Sequence, residues 1–348
     1  MNVIEVEGLR KEIRRRRGGK VSAVAGLDLI VPAGGVFGFL GPNGSGKTTT
    51  IRCLLGLARP TGGSCRLLGA AVPGGLRQVT GRVGALVETP GLNPGMTARQ
   101  IMLVHARIAG MSRRRADDVI AQVGLAGRDA EAVKGFSLGM RQRLGVALAL
   151  LKDPEVLILD EPANGLDPAG IREMRQLVRR LGDEGRTVFL SSHQLAEVQQ
   201  ICDRVAILAR GRAVAEGTVA DVLATEQSGT MLVRVPDHAS ALSALSAVGI
   251  EAVADGDALR VTVPPGGLRG PYGLEGPATI TAVLGASDIW LSELRPDEAS
   301  LEDVFLRLTG DDAVNHLDGL RGPNAVEGLR GPNAVDGPRG PNAMEGER

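Results

Sequence analysis

The strongest chemistry in the chain lies in Gly41, Pro42, Asn43, Gly44, Ser45, Gly46, Lys47, Thr48 and Thr49. Their spacing satisfies GxxxxGK[ST], and they follow the strand-like run GVFGFL and precede the helix-like TTIRCLLGLA, the context a phosphate-binding loop requires. The glycines let backbone N–H groups curl around phosphate oxygens at a helix N-terminus, where the local dipole also favours anions. Lys47 then reaches the β- and γ-phosphates of a nucleoside triphosphate. Thr48 supplies a hydroxyl to Mg2+, which keeps several waters and prefers such sparse oxygen ligation. A plain glycine turn leaves the Lys-Thr pair at the required positions unexplained.

Downstream, VLILDEP at residues 156–162 reads as a buried strand ending in two carboxylates. Acids at the C-terminal edge of such a strand sit at the crevice where α/β sheets bind ligands. Asp160 is expected to hold Mg2+ through water, and Glu161 to polarise the attacking water as general base. A strand-end acidic pair is a weak signal alone and a strong one after a phosphate loop.

These groups need a scaffold. From residue 3 to about residue 222, short β-rich runs alternate with helical stretches, which predicts a mostly parallel sheet covered by helices. Alternation at residues 4–8 and 27–34 predicts an added antiparallel edge, with Pro32 closing one strand. Residues 98–110 and 113–123 carry apolar positions three and four apart, stopped by Gly110 and Gly124, and read as a helical insertion spanning about residues 90–150. The first domain thus covers residues 1–225. A second, small α/β unit is expected at 229–310, where MLVRV, LRVTV, TITAVLG and DIWLSEL read as half-buried strands and PPGGLRGPYGLEGP as a loop. From residue 319 the chain repeats GLRGPNAVE, GLRGPNAVD and GPRGPNAME. A Gly/Pro-rich tail over 311–348, with almost nothing large to bury, is expected to be disordered.

Composition narrows the function classes. Lys plus Arg number 40 and Asp plus Glu 40, so no overall field draws the chain to nucleic acid. Cys53, Cys65 and Cys202 are widely separated and lack CxxC spacing, which argues against a disulfide framework or a zinc site. The N-terminal residues have no apolar core of a signal peptide, and apolar runs fall far short of the ~20 residues a membrane-spanning helix requires.

After the phosphate loop come FSLGMRQRL at 136–144, LILDEPANGLDP at 157–168 and LSSHQLAEV at 190–198. Four motifs in this order resemble the ATP-binding-cassette ATPases. VGALVETPGLNPGMTARQ, SLGMRQR, DEPANGLDPAGI and the terminal ASLEDVFLRLTG are similar to the motor subunits of antibiotic-type exporters, over roughly residues 1–310. The fold so implied is a P-loop NTPase: a RecA-like core with an antiparallel β edge and an inserted helical subdomain. The resemblance implies ATP and Mg2+ as cofactors and an ATPase that closes head-to-tail on a second copy, each ATP meeting the partner's serine motif. Ser137, a good N-cap for the helix GMRQRLGVALALL should form, Gly139 and Gln142 then contact nucleotide, and Asp167 signals across the dimer. His193 corresponds to the histidine that senses the γ-phosphate, joining Lys47 and Glu161 in the catalytic set. The implied partner is an integral-membrane permease, met through the helical insertion at the cytoplasmic face of the membrane, with no nucleic acid expected.

Two positions depart from the family pattern. Glu88 stands where a glutamine is usual, and its carboxylate is expected to ligate Mg2+ directly or through water. The aromatic residue that stacks adenine is missing: the chain reads KEIRRRRGGKVSAV, with Ile13 near the expected place. An arginine among residues 14–17 can stack on a base, while a solvated basic hairpin tip is the plainer reading. A soluble cassette ATPase of translation or DNA repair is the rival function. Relatives of that kind carry a second cassette or long coiled-coil insertions, and this chain has neither a second GxxxxGK[ST] nor sustained heptads.

Overall fold

A computed structural model describes residues 1–14, 18–88, 90–224, 229–264, 268, 276–297 and 300–309. The expected repeat tail, Arg15 to Arg17 and most of the Gly/Pro-rich loop lie outside the described residues.

Alternation builds the first layer. In β1 (Asn2–Arg14) and β2 (Lys20–Pro32), Ile4, Val6, Leu27, Leu29 and Val31 point into the core, while Asp28 and Ile30 face out. The strands pair antiparallel from Asn2↔Pro32 to Arg14↔Lys20, and β2 ends at Pro32 as its sequence requires. With β4 (Gly62–Leu67) and β5 (Ala70–Val72) they form a four-stranded sheet of order β2-β1-β4-β5.

The second layer is a six-stranded sheet of order β10-β9-β3-β8-β7-β6. It comprises β3 (Gly35–Leu40), β6 (Val83–Leu86), β7 (Val156–Asp160), β8 (Thr187–Ser192), β9 (Arg204–Ala209) and β10 (Arg212–Thr218). All neighbours run parallel except β9 and β10. Strands covered on both faces read as unbroken apolar runs, which is why VLILD is buried from end to end. One face packs on the antiparallel sheet and on α1 (Lys47–Leu54), around Phe37, Phe39 and Phe189.

The other face carries α2 (Ala98–Ile108), α3 (Arg113–Gln122), α4 (Leu138–Leu150), α5 (Pro168–Asp183), α6 (Leu195–Gln199) and α7 (Val219–Ala224). Thr97 and Gln100 close a capping box on α2, Ser112 caps α3, and Gly110 and Gly124 follow at φ 70°, where a side chain would be strained. Helices α2 to α4 therefore form the expected insertion. No helix among the described residues is long and apolar enough to cross a membrane, and Cys53, Cys65 and Cys202 are free and buried.

The chain continues through β11 (Thr230–Arg234), α8 (His238–Ala247), β12 (Ala252–Asp255), β13 (Ala258–Thr262), α9 (Pro277–Ala286) and β14 (Glu293–Pro296). Sheet order β12-β13-β11-β14, all neighbours antiparallel, makes this a βαββαβ unit of the ferredoxin-like kind. Two expectations are corrected here. TITAVLG is not a strand but the body of α9: Pro277 presets the first turn, and the buried Ile280, Val283 and Leu284 recur at helical spacing. DIWLSEL contributes only Glu293 and Leu294 to β14, because Asp288 turns the chain at φ 57°. Finally α10 (Leu301–Thr309), counted from sequence with the small unit, buries Leu301, Val304 and Phe305 in the core of the first one.

Candidate functional site

Strand β3 delivers the chain to Gly41, whose N–H donates to the Ser192 carbonyl at 3.2 Å. A Cβ on Gly41 would lie 2.4 Å from the Leu208 carbonyl oxygen and one on Gly46 2.5 Å from that of Ala23, so only glycine fits either place. Gly44 has nothing within 4 Å of such an atom and faces open space. Pro42 and Asn43 complete the turn, and Lys47, Thr48 and Thr49 start α1. The Ser45 hydroxyl is buried without a hydrogen-bond partner among the described residues, an orphan that a phosphate oxygen would satisfy. The cradle therefore fits a nucleotide polyphosphate.

Lys47 is 5 % exposed; its Nζ donates to the Gly41 carbonyl at 2.6 Å and the Pro42 carbonyl at 3.2 Å and pairs with Glu161 Oε1 at 3.3 Å. Burial lowers its pKa below the ordinary lysine value, against the pull of Glu161 and Asp160. Glu161 sits just past β7 at φ 50°, in the left-handed region, a strained conformation for a side chain that size. His193 Nδ1 donates to Glu161 Oε2 at 2.7 Å. Burial pushes the Glu161 carboxyl up, but the His193 hydrogen bond and the Lys47 charge outweigh it and hold the group below the ordinary glutamate value.

Ser191 joins these groups, and sequence reasoning missed it. Its Oγ donates to Asp160 Oδ1 at 2.5 Å and accepts from the Glu161 N–H at 3.0 Å, fully buried at the end of β8. The available signal was the serine two residues before His193 on a strand paired with the one that ends in Asp160. Supporting groups of this kind typically change metal affinity or activity by about 10- to 100-fold when removed. Ser191→Ala is accordingly expected to slow ATP turnover by that order, measured as phosphate release at saturating Mg-ATP.

Thr48 and Asp160 are the oxygen donors that fit a divalent cation. No cluster of three or more His, Cys, Asp or Glu suited to a metal exists among the described residues; a divalent cation held by Thr48 and Asp160 would need phosphate and water oxygens besides, as Mg2+ commonly does. Glu88, at φ 64°, is exposed and pairs with Arg52, one helical turn beyond Thr48 on α1. Its carboxylate is thus engaged by the Arg52 guanidinium.

A second group of predicted residues stands apart. Ser137 caps α4, its Oγ accepting from the Met140 N–H at 3.2 Å, and Asp167 caps α5, accepting from the Gly170 N–H at 2.9 Å. A Cβ on Gly139 would meet Leu166 at 3.8 Å and Gly170 at 3.9 Å, so the two helix starts adjoin and share one surface. Ser137 is exposed, and Lys47 has other partners. Gln142 is 6 % exposed, with its Oε1 unpartnered among the described residues. Near the expected adenine place, Ile13 and Arg14 are exposed.

The profile of the family described as ABC transporter matches residues 24–164. The chain is 46% identical over 200 residues to the bacitracin transport ATP-binding protein BcrA of Bacillus licheniformis, covering 57% of this chain and 65% of that protein. It thus spans just under two thirds of that relative's length. To the daunorubicin/doxorubicin resistance ATP-binding protein DrrA of Streptomyces peucetius it is 36% identical over 319 residues, covering 88% of this chain and 92% of that protein. The fold is that of a dimeric, post-hydrolysis structure of the ATP-binding cassette MJ0796 bound to ADP and Pi, with a TM-score of 0.56 at 23% identity, over 62% of this chain and 98% of that chain.

Proposed function

Since the chain belongs to the ABC transporter ATP-binding proteins and is an ATPase of that family, we propose that it works as a homodimer, each ATP held between Lys47 of one protomer and Ser137 of the other. The observation that carries this reading is that the two residue groups bond to different partners, Lys47 to Gly41, Pro42 and Glu161, and Ser137 to the start of its own helix. Lys47, Asp160, Glu161 and His193 form one half of a site, joined through Ser191, while Ser137 and Gly139 form an anion-binding half at the start of α4, with Asp167 capping the adjoining helix. Two-fold pairing brings unlike halves together and leaves no half unused.

In this reading each side chain has a task. The glycine N–H groups, Ser45 and Lys47 bind the phosphates, with Thr49 next to them on α1, and Gln142 follows Ser137 on α4. Lys47 is paired with Glu161, which lowers the basicity of that carboxylate. Phosphate oxygens draw Lys47 away and so remove one of the two partners that hold the Glu161 carboxyl down, which makes Glu161 a stronger base as substrate arrives. His193 keeps its grip on Oε2 and orients the carboxylate toward the attacking water. When bound by Thr48 and Asp160, Mg2+ supplies positive charge to the phosphates. Asp167 lies at the closing surface, where partner contact reaches the loop that follows Glu161.

Glu88 belongs to this cation site in our reading, released from Arg52 by nucleotide. Glu88→Gln is expected to shift the Mg2+ concentration for half-maximal hydrolysis upward by several fold, roughly the 10-fold that corresponds to 1.4 kcal/mol; a superimposable Mg2+ titration would remove Glu88 from the site.

Closure and parting of the dimer is a two-state motion that ATP biases. The helical insertion after Glu88 hands it to a membrane permease, which places the protein peripherally at the cytoplasmic face. The names of the similar proteins support export of antibiotic-type compounds over a role in translation or DNA repair. Affinity capture from detergent-solubilised membranes tests this: a stoichiometric polytopic protein is expected, and ribosomes or DNA instead would overturn it.

A further inference from the structure

Helix α6 directly follows His193 and has only five residues, Leu195–Gln199. A helix that short has no stability of its own, so its position is set by whatever packs on it. On its inner side it lies against β3 at Gly38, where a Cβ would stand 2.8 Å from Val198 Cγ1 and 2.9 Å from Cys202 Sγ. Toward α5 the support is incomplete: a cavity of about 30 Å³, bounded by Glu161, His193, Met174, Val178 and Ile201 among others, separates the His193 loop from that helix. Ties from α5 reach the residues just beyond the helix, where Arg175 donates to Gln200 Oε1 at 2.6 Å and Arg179 to the Ile201 carbonyl at 3.2 Å.

The outer side is covered by α10. Leu301 and Val304 are fully buried and Phe305 is 2 % exposed, in one cluster with Leu195 and Val198. The Leu301 N–H donates to Gln199 Oε1 at 3.1 Å, so the first turn of α10 is fixed to the end of α6. Ser300 and Asp303 bond each other's N–H and hold that turn in shape, with Ser300 N to Asp303 Oδ2 at 3.0 Å and Asp303 N to Ser300 Oγ at 3.1 Å.

We propose that α10 is a positioning clamp for hydrolysis: it holds α6 on β3 and so keeps His193 in place against Glu161. The segment that leaves the core after α7 and builds the βαββαβ unit thereby returns to control the geometry of the site. Misplacement by about 1 Å at such a group costs on the order of 100-fold in rate. The proposal rests on the reading that His193 and Glu161 act together on the attacking water.

The test uses the full chain and Mg-ATP. Phe305→Ala is expected to lower kcat by about 10- to 100-fold with KM for ATP within about twofold, because the phosphate cradle is untouched. Phe305→Leu, which keeps apolar volume, is expected to recover most of kcat. In a double-mutant cycle, Phe305→Ala should add nothing to the loss already caused by His193→Ala, since both act through one group. Should Phe305→Ala not yield folded protein, Gln199→Ala, which removes the acceptor of the Leu301 N–H, is measured against the same criteria. An unchanged kcat, a loss in KM instead of kcat, or multiplicative losses in the cycle would each overturn the clamp. The parent reading fails separately, if His193→Ala alone hydrolyses at the full rate.

Discussion

Glu161→Gln is expected to lower hydrolysis by about 10²- to 10⁴-fold, the range general-base catalysis supplies, while ATP binding survives. Gln keeps the volume of Glu and an oxygen for the His193 Nδ1–H, now 2.7 Å from the carboxylate. What disappears is the proton acceptor and one negative charge beside Lys47. The nucleotide-free variant is therefore expected to melt below the parent, because a buried lysine that is 5 % exposed loses its carboxylate partner. Saturating Mg-ATP should more than restore the difference, since ligand at 100 times its Kd adds about 2.7 kcal/mol. Phosphate release and thermal melts with and without Mg-ATP check both parts. Hydrolysis at the parental rate would remove Glu161 from its role.

Ser137→Arg carries the second large effect. Hydrolysis is expected to fall at least 100-fold, the order lost when one donor to a reacting anion is removed, and a bulky side chain on the closing surface also obstructs closure. The alternative is that Ser137 serves only its helix, where its Oγ accepts from the Met140 N–H. Loss of an N-cap costs typically about 1 kcal/mol, small against the ~5–15 kcal/mol that keeps a domain folded, and cannot by itself abolish activity. Magnitude thus separates the two roles. Binding of ATP to the isolated protomer, measured by calorimetry, should stay within about threefold, because Lys47 and its glycines are on other elements. A matching collapse of ATP affinity would assign Ser137 to the fold.

Much of the catalytic half was legible in the sequence because each of its segments is local. GPNGSGKTT and VLILDEP each contain the strand end and the functional side chain together, so spacing within a few residues carries the chemistry. Ser137 was legible as a cap followed by a helix-forming run, whereas Asp167 entered through the family resemblance and its capping of α5 became visible in the structure. What escaped depends on register between distant segments. Ser191 matters because β7 and β8 pair Asp160 with Ser191, a relation that neither strand states alone. The pairing of Glu88 with Arg52 likewise depends on how the loop after β6 folds over α1.

The small unit was harder to read because its segments are mixed in tendency. TITAVLG is rich in β-branched residues, yet Pro277 and packing against α8 override that weak preference. The segment of α10 carried the family resemblance in the sequence but named no partner surface. Leu301, Val304 and Phe305 find theirs across the chain, on α6 and α7.

The direct test of a nucleotide shared between two protomers is the mass of Glu161→Gln in solution, by sedimentation velocity with saturating Mg-ATP. A species of twice the 36.2 kDa chain mass is expected with Mg-ATP, absent without it, and absent again when Ser137→Arg is added. A protein that stays monomeric with Mg-ATP, alone and beside its permease, would contradict the account.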